Sequence, residues 1–280
     1  ILPLAWIKFL IHCVGNHNYG FHRDELLHLS VSEHMAWGYM EFPPLIAWIG
    51  KMAYLLFDYS LVGVRLFPTL AGLAILLLCC LMAKDLGGKK GAILLAGICV
   101  LAFLPFYRNH TLFQPVAFDQ LFWTLGFYFL IKYIQKPDYR FLICLGASLG
   151  LGMLNKYTMS IWAIGLLAGL FFYQKGKLYK DKWLYISLGL AFLMLLPNLI
   201  WQLQYDIPFL KQLASLEAKQ LDEIHPLEFG RAQLSIPSTF IISLIGIYAL
   251  LFGEKLKQYR TVGAMVLVIF TTMWIMKAKA

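Results

Sequence analysis

The sequence predicts an all-α polytopic membrane protein, and three observations carry that prediction. Long apolar stretches recur along the 280 residues, charged residues make up only 14%, and Lys and Arg gather in every second turn. Soluble chains carry about a quarter of their residues as charged side chains, so this composition excludes a soluble globular class. The apolar stretches are 1–14, 61–82, 92–106, 118–134, 141–154, 160–173, 183–201, 236–252 and 261–276. A bilayer core takes about 20 apolar residues per helix, so the shorter stretches must draw on their flanks. About nine transmembrane helices are therefore expected, forming one domain over 1–280. Ile1 opens inside an apolar run and Lys277-Ala278-Lys279-Ala280 directly follows another, so a longer protein is expected at both ends.

Orientation follows from charge, because short cytoplasmic loops are enriched in Lys and Arg. The turns at 84–90, 132–140, 175–182 and 254–260 hold thirteen basic and four acidic residues, which accounts for the whole formal charge of +9. These turns are expected on the cytoplasmic side. That leaves 16–60, 108–117, the turn at Asn155-Lys156 and 202–237 on the external face. A basic balance with this origin reports topology and implies no nucleic-acid partner. The span midplanes hold almost no ionisable residues, which speaks against an ion-coupled carrier. Cys13, Cys79, Cys80, Cys99 and Cys144 all fall in apolar stretches without paired spacing and read as buried small hydrophobes.

The first external loop, 16–60, is expected to hold two interfacial helices. Residues 24–37 suit the first, with Leu26, Leu27, Val31 and Met35 on an apolar face and Asp24, Glu25, His28 and Ser32 on a polar one. Gly38 is expected to end it, and Pro43-Pro44 to start a second at Leu45. Two helices so joined would bring Asp24 and Glu41 together above the membrane. The loop at 202–237 is the second long external segment.

Ionisable residues at the external boundary are the candidates for chemistry. Asp24 and Glu25 follow the first span, where acidic residues also suit a helix start. Glu41 precedes the proline pair. Asp119 and Lys156 face the same boundary from successive spans, where Lys156 could equally snorkel to headgroups. Arg23, Arg108 and Arg231 could bind phosphate or anchor the protein. Six of the seven histidines, His17, His22, His28, His34, His110 and His225, are expected outside. The spacing of His22, Asp24 and His28, with Glu41 beside them, suggests a divalent metal only weakly, and no His-x-x-x-His pair supports one. No cofactor is expected.

Taken in order, Phe21-His22-Arg23-Asp24-Glu25-Leu26, Trp37-Gly38-Tyr39 with Glu41-Phe42-Pro43-Pro44-Leu45, Phe118-Asp119-Gln120-Leu121-Phe122-Trp123, Leu149-Gly150-Leu151-Gly152-Met153-Leu154-Asn155-Lys156-Tyr157 and Pro197-Asn198-Leu199-Ile200-Trp201-Gln202 resemble the landmarks of the dolichyl-phosphate-mannose protein mannosyltransferase-like family. This is glycosyltransferase family 39, of the GT-C fold, related to the bacterial lipid A aminoarabinose transferases. The resemblance implies a GT-C-like helix bundle in the plasma membrane of a bacterium. It also implies transfer of a sugar from a polyprenyl-phosphate carrier to a lipid, glycan or protein acceptor on the external face. Asp24 matches the family's catalytic acidic residue with Glu25 beside it, and Glu41 matches an acidic position used by the aminoarabinose transferases. Those relatives carry Lys next, where this chain has Phe42, and Lys156 is the natural replacement.

The chemistry fits independently of the likeness. A sugar phosphate already has a good leaving group, so the enzyme needs a carboxylate to deprotonate the acceptor and cations to stabilise the departing phosphate. Asp24 is the expected base with Glu41 second; Lys156 and Arg108 are the expected phosphate contacts, with Asp119, Arg23 and Tyr39 lining the substrate site. The alternative is a lipid-linked-sugar flippase or transporter, which requires functional charges deep in the helices.

Overall fold

The computed structural model describes residues 1–16, 19–171, 174–216, 230–231, 233–234 and 236–276, and among these every regular element is helical. The α-helices bounded within the described residues are, in order, α1 Leu2–Gly15, α2 Arg23–Glu33, α3 Leu45–Phe57, α4 Leu61–Asp85, α5 Lys90–Ala102, α6 Pro105–Asn109, α7 Pro115–Gln135, α8 Tyr139–Asn155, α9 Met159–Leu170, α10 Lys182–Gln204, α11 Pro208–Leu216, α12 Pro237–Phe252 and α13 Arg260–Ile275. Short 3-10 turns at Gln174–Lys180 and Glu254–Tyr259 precede α10 and α13. His17, His225 and much of the expected loop 202–237 lie outside the described residues.

Each apolar stretch becomes a helix, but length divides them. α4 and α10 are long and apolar enough to cross a membrane, while α1, α3, α5, α8 and α9 are shorter apolar helices. α7 has 21 residues yet carries Asp119, Gln120 and Lys132 and falls short in hydropathy. Residues 239–252 and 254–275 pass only as a pair bent by 88°, a broken span or re-entrant loop rather than two simple spans. The expected span 92–106 is likewise two pieces. Phe103 is extended, and Pro105, with no N–H for the preceding turn, starts α6 at a position where that donor is not needed.

Packing centres on α8, which lies between α7 and α10, while α4 meets α5 and α7 and α9 meets α13. Small residues permit the close approaches that helices need in lipid, where hydrophobic burial alone does not drive association. At Gly146 of α8, an added Cβ would run into the Ser187 backbone oxygen of α10. The main core joins Ile46, Phe113, Leu130, Leu142, Trp162 and Met265, and a smaller cluster of Leu76, Cys80 and Val100 seals α1 against α4 and α5. Cys80 is buried as expected, but Cys13 and Cys144 face outward.

The two ends of the bundle are held together by different chemistry. At one end the basic turns converge: Lys132 Nζ lies 3.3 Å from Asp85, Gln135 and Tyr259 bond the Asp85 carbonyl, and Tyr133 donates to Asp181 at 2.8 Å. At the other end, segment 19–44, the α6–α7 loop, the α8–α9 turn and the end of α10 meet through the bonds described next.

Candidate active site

α2 begins where His22 caps it. His22 Nδ1 accepts from Asp24 N–H at 3.3 Å, and Glu25 Oε2 accepts from His22 N–H at 2.8 Å, so two orphan donors of the first turn are satisfied reciprocally. Accepting that proton places the hydrogen of a neutral His22 on Nε2, so its 3.6 Å approach to Asp24 Oδ2 is an ion pair only when the ring is protonated.

Glu25 turns inward and is fully buried. Arg65 of α4 grips it in a fork, Nε to Oε1 at 3.0 Å and Nη2 to Oε2 at 2.8 Å, and Phe113 N–H donates to Oε1 at 3.0 Å. Arg65 uses its remaining donors on the carbonyls of Asn16, Tyr19 and Gly20. Burial raises the Glu25 carboxyl's proton affinity, but the guanidinium and the two backbone donors outweigh it and hold the group below its ordinary range. With four donors on its oxygens and no exposure, Glu25 has no lone pair to offer a substrate. It fixes α2 in place.

Asp24 remains partly open. Its side chain is 38% exposed, Gln114 Nε2 donates to Oδ2 at 2.9 Å, and Arg23, almost fully exposed, reaches Oδ1 at 3.3 Å. Gln114 stands at the residue before α7, and just over one turn further on Asp119 accepts from Thr158 Oγ1 at 2.9 Å. Asp119 Oδ1 is buried without a hydrogen-bond partner. Lys156, in the α8–α9 turn, acts electrostatically on this carboxylate. Beside it, Tyr157 donates to Asn198 at 2.8 Å and takes a bond from Gln202 at 3.1 Å, and burial raises its phenol above the ordinary range. Arg108 stands exposed on α6.

Asp24 and Glu41, expected together, hold different partners. Glu41 lies on the segment that returns beside α2 and accepts from Gln212 of α11 at 3.3 Å, while Asp24 accepts from Gln114. Tyr39 is occupied in bracing this corner: its hydroxyl takes Ala36 N–H at 3.2 Å and faces the carbonyls of Val31 and His34. Phe42 is buried against His28, 4.8 Å between ring centroids. Burial lowers His28 to about 4. His22, His28 and Glu41 are thus not brought together, and among the described residues no group of three His, Cys, Asp or Glu could hold a metal.

Two further expectations are revised. The polar face of α2, Glu25, His28 and Ser32, packs inward, with Ser32 bonded to Tyr59 at 2.6 Å, while Leu26, Leu27 and Met35 are exposed. α2 ends at Glu33 rather than Gly38, and Gly38 serves close approach: a side chain there would strike Trp201, beside the bond from Asn198 Nδ2 to the Trp37 carbonyl at 2.7 Å. Arg65 and Gln114 escaped sequence reasoning, and Asn198 stood out only as part of a landmark, with no role of its own. For Arg65 the signal existed, since a cation inside an apolar stretch demands a partner.

A helical membrane protein that gathers carboxylates, amides and a lysine at one end of its bundle is the class that fold and site define. The chain belongs to the family described as dolichyl-phosphate-mannose-protein mannosyltransferase, whose profile matches residues 41–201. The match contains Glu41, Arg65, Arg108, Asp119, Lys156 and Asn198 and begins after Asp24. The chain is 24% identical over 249 residues to the lipid A galacturonosyltransferase RgtD of Rhizobium johnstonii, 84% of this chain and 50% of that protein. It is 30% identical over 115 residues to an uncharacterized protein of Aquifex aeolicus, 41% of this chain and 23% of that protein. The chain therefore spans half or less of the length of these curated relatives. No solved structure matches it.

Proposed function

We propose that this chain carries the membrane part of a GT-C glycosyltransferase. It moves a hexosyl or pentosyl unit from a polyprenyl-phosphate donor to a hydroxyl of a lipid, glycan or protein acceptor, on the extracytoplasmic face of a bacterial inner membrane. The carrying observation is the division of labour at the start of α2, where Glu25 is buried and neutralised by Arg65 while neighbouring Asp24 stays accessible on a fixed helix end. Asp24 is the base. The acceptor oxygen attacks the anomeric carbon, its proton passes to Asp24, and the bond to the phosphate breaks with its electron pair leaving on the polyprenyl phosphate. Gln114 orients Asp24, and Lys156, with Arg108 and Arg23 at the rim, stabilises the departing phosphate beside Asp119. Glu41 and Tyr39 form the far wall. The nine-span reading enters here as well, with the shorter helices completing their crossing through flanking residues.

The test is radiolabelled transfer from a panel of polyprenyl-phosphate sugars by full-length protein in lipid. Asp24→Asn is expected to lower transfer by at least about 10²-fold, and equal transfer by both proteins sinks the assignment. One observation favours the transporter reading: Lys8 is fully buried in α1, its Nζ without a hydrogen-bond partner and 5.4 Å from the Tyr107 ring. Lys8→Met is expected to leave transfer unchanged. Transbilayer movement of the donor that Lys8→Met stops, in protein that transfers nothing, favours transport.

A further inference from the structure

At the basic end of the bundle, a cleft of about 490 Å³ opens where the turn between α7 and α8 meets the start of α10. That volume lies within the range of small-molecule sites. Lys136, Asp138, Tyr139 and Arg140 line one side of it, Asp181 and Trp183 the other. The two carboxylates are committed to the fold. Asp138 caps α8 by taking the Arg140 N–H at 3.0 Å, and Asp181 caps α10 by taking the Trp183 N–H at 2.9 Å and the Tyr133 hydroxyl at 2.8 Å. Each faces the positive end of a helix dipole, which offsets part of its charge. The cations are differently placed. Among the described residues Lys132 pairs with Asp85, while Lys136 and Arg140 are exposed and form no ion pair. Lys180 and Lys182 add exposed positive charge at the start of α10, with Lys182 Nζ 5.6 Å from the Trp183 ring.

The aromatic residues fix the level of the cleft. Tyr139 and Trp183 stack with their ring centroids 4.4 Å apart, and each stands within the first two residues of an apolar helix. Tyr and Trp at such helix ends mark the boundary between water and lipid. Uncommitted cations at that boundary, beside an aromatic platform, match a phosphodiester whose acyl chains continue into the bilayer, and basic pockets between membrane helices take anionic headgroups in this way. A soluble anion would meet the charges and leave the platform unused.

We infer that this cleft binds the headgroup of an anionic glycerophospholipid, with Lys136 and Arg140 on the phosphate and the Tyr139–Trp183 pair against the glycerol. The bound lipid links the α7–α8 turn to α10 across α8, the centre of the packing. The site lies at the opposite end of the bundle from Asp24, so the inference stands apart from the transferase reading.

Native mass spectrometry tests it on full-length protein stripped of lipid in a neutral detergent and titrated with dioleoyl phosphatidylglycerol. The first lipid is expected to bind at least about tenfold more tightly than dioleoyl phosphatidylcholine, which has the same chains. Each basic residue at an anionic lipid surface contributes about fivefold in affinity, so Lys136→Gln with Arg140→Gln is expected to weaken phosphatidylglycerol binding about 25-fold. Lys255→Gln with Lys257→Gln, exposed at the same end but outside the cleft, is expected to change it less than about twofold. The lipid-free Tm is expected at the wild-type value in both pairs. Equal binding of the two lipids, unchanged binding by the Lys136/Arg140 pair, or equal weakening by both pairs overturns the inference. Displacement of the lipid by inorganic phosphate or glycerol phosphate at equal concentration assigns the cleft to a soluble anion and overturns it too. If the Lys136/Arg140 pair lowers the lipid-free Tm, Lys136→Arg with Arg140→Lys decides: wild-type lipid affinity supports the inference, and its loss overturns it.

Discussion

Two adjacent carboxylates, Asp24 and Glu25, have opposite fates because successive helix positions point about 100° apart. Glu25 meets Arg65 and two backbone donors; Asp24 meets Gln114 and solvent. The buried pair is a structural commitment, since removing one partner strands the other's charge and costs about 3–5 kcal/mol. Arg65→Met is expected to lower Tm accordingly. Adding Glu25→Gln should recover part of the loss, because the neutral amide oxygen can still accept from His22 N–H or Phe113 N–H. His28 sets a second dependence. Its folded value of about 4 lies below the ordinary 6.5 because burial disfavours the charged ring, so the unfolded chain binds the extra proton first. Stability is complete above pH 6.5 and falls as pH drops toward 4, by about 3 kcal/mol over that window. Thermal denaturation across pH 4–7 should show this slope in wild type and a shallower one in His28→Phe, where the buried His110 still contributes.

Helices are the scale at which the sequence was most legible. Apart from 92–106, which breaks at Phe103, the apolar stretches mark helices to within a few residues, and Pro43-Pro44 marks the start of α3 at Leu45. Tertiary contacts blurred the rest. Gly38 reads as a helix end from composition, yet its role is set by Trp201 on a helix more than 160 residues away. The inward polar face of α2 was invisible too, because its partners Arg65 and Tyr59 belong to other elements, and in an apolar medium polar faces pack inward. Contact rather than propensity should likewise decide glycine substitutions between helices. Gly146→Ala drives a methyl into the Ser187 backbone and is expected to cost about 1–3 kcal/mol. Gly189→Ala, two residues past Ser187 on the opposite side of α10 in open space, is expected to stabilise by up to about 1 kcal/mol. Denaturation of the two variants in the same detergent checks the contrast.

For the whole molecule, charge counting forecast a division that the packing repeats. The basic turns join through Asp85, Lys132, Gln135 and Tyr259, while the candidate site gathers at the far end of the same helices. The pairing across that far end was not legible, because residues 25 and 65, or 24 and 114, meet only after several helices have packed. The positive-inside rule predicts the orientation in the bilayer, and that prediction carries a direct test. Glu33 is exposed at the candidate-site end and Lys89 at the basic end, and neither touches the proposed machinery. In a background with the five native cysteines replaced by Ala, Glu33→Cys is expected to react with a membrane-impermeant maleimide in intact cells. Lys89→Cys should react only after the membrane is opened. The reverse pattern places Asp24 in the cytoplasm, where the acceptor chemistry would have to be reassigned, and labelling of both in intact cells means that the basic turns do not set the topology.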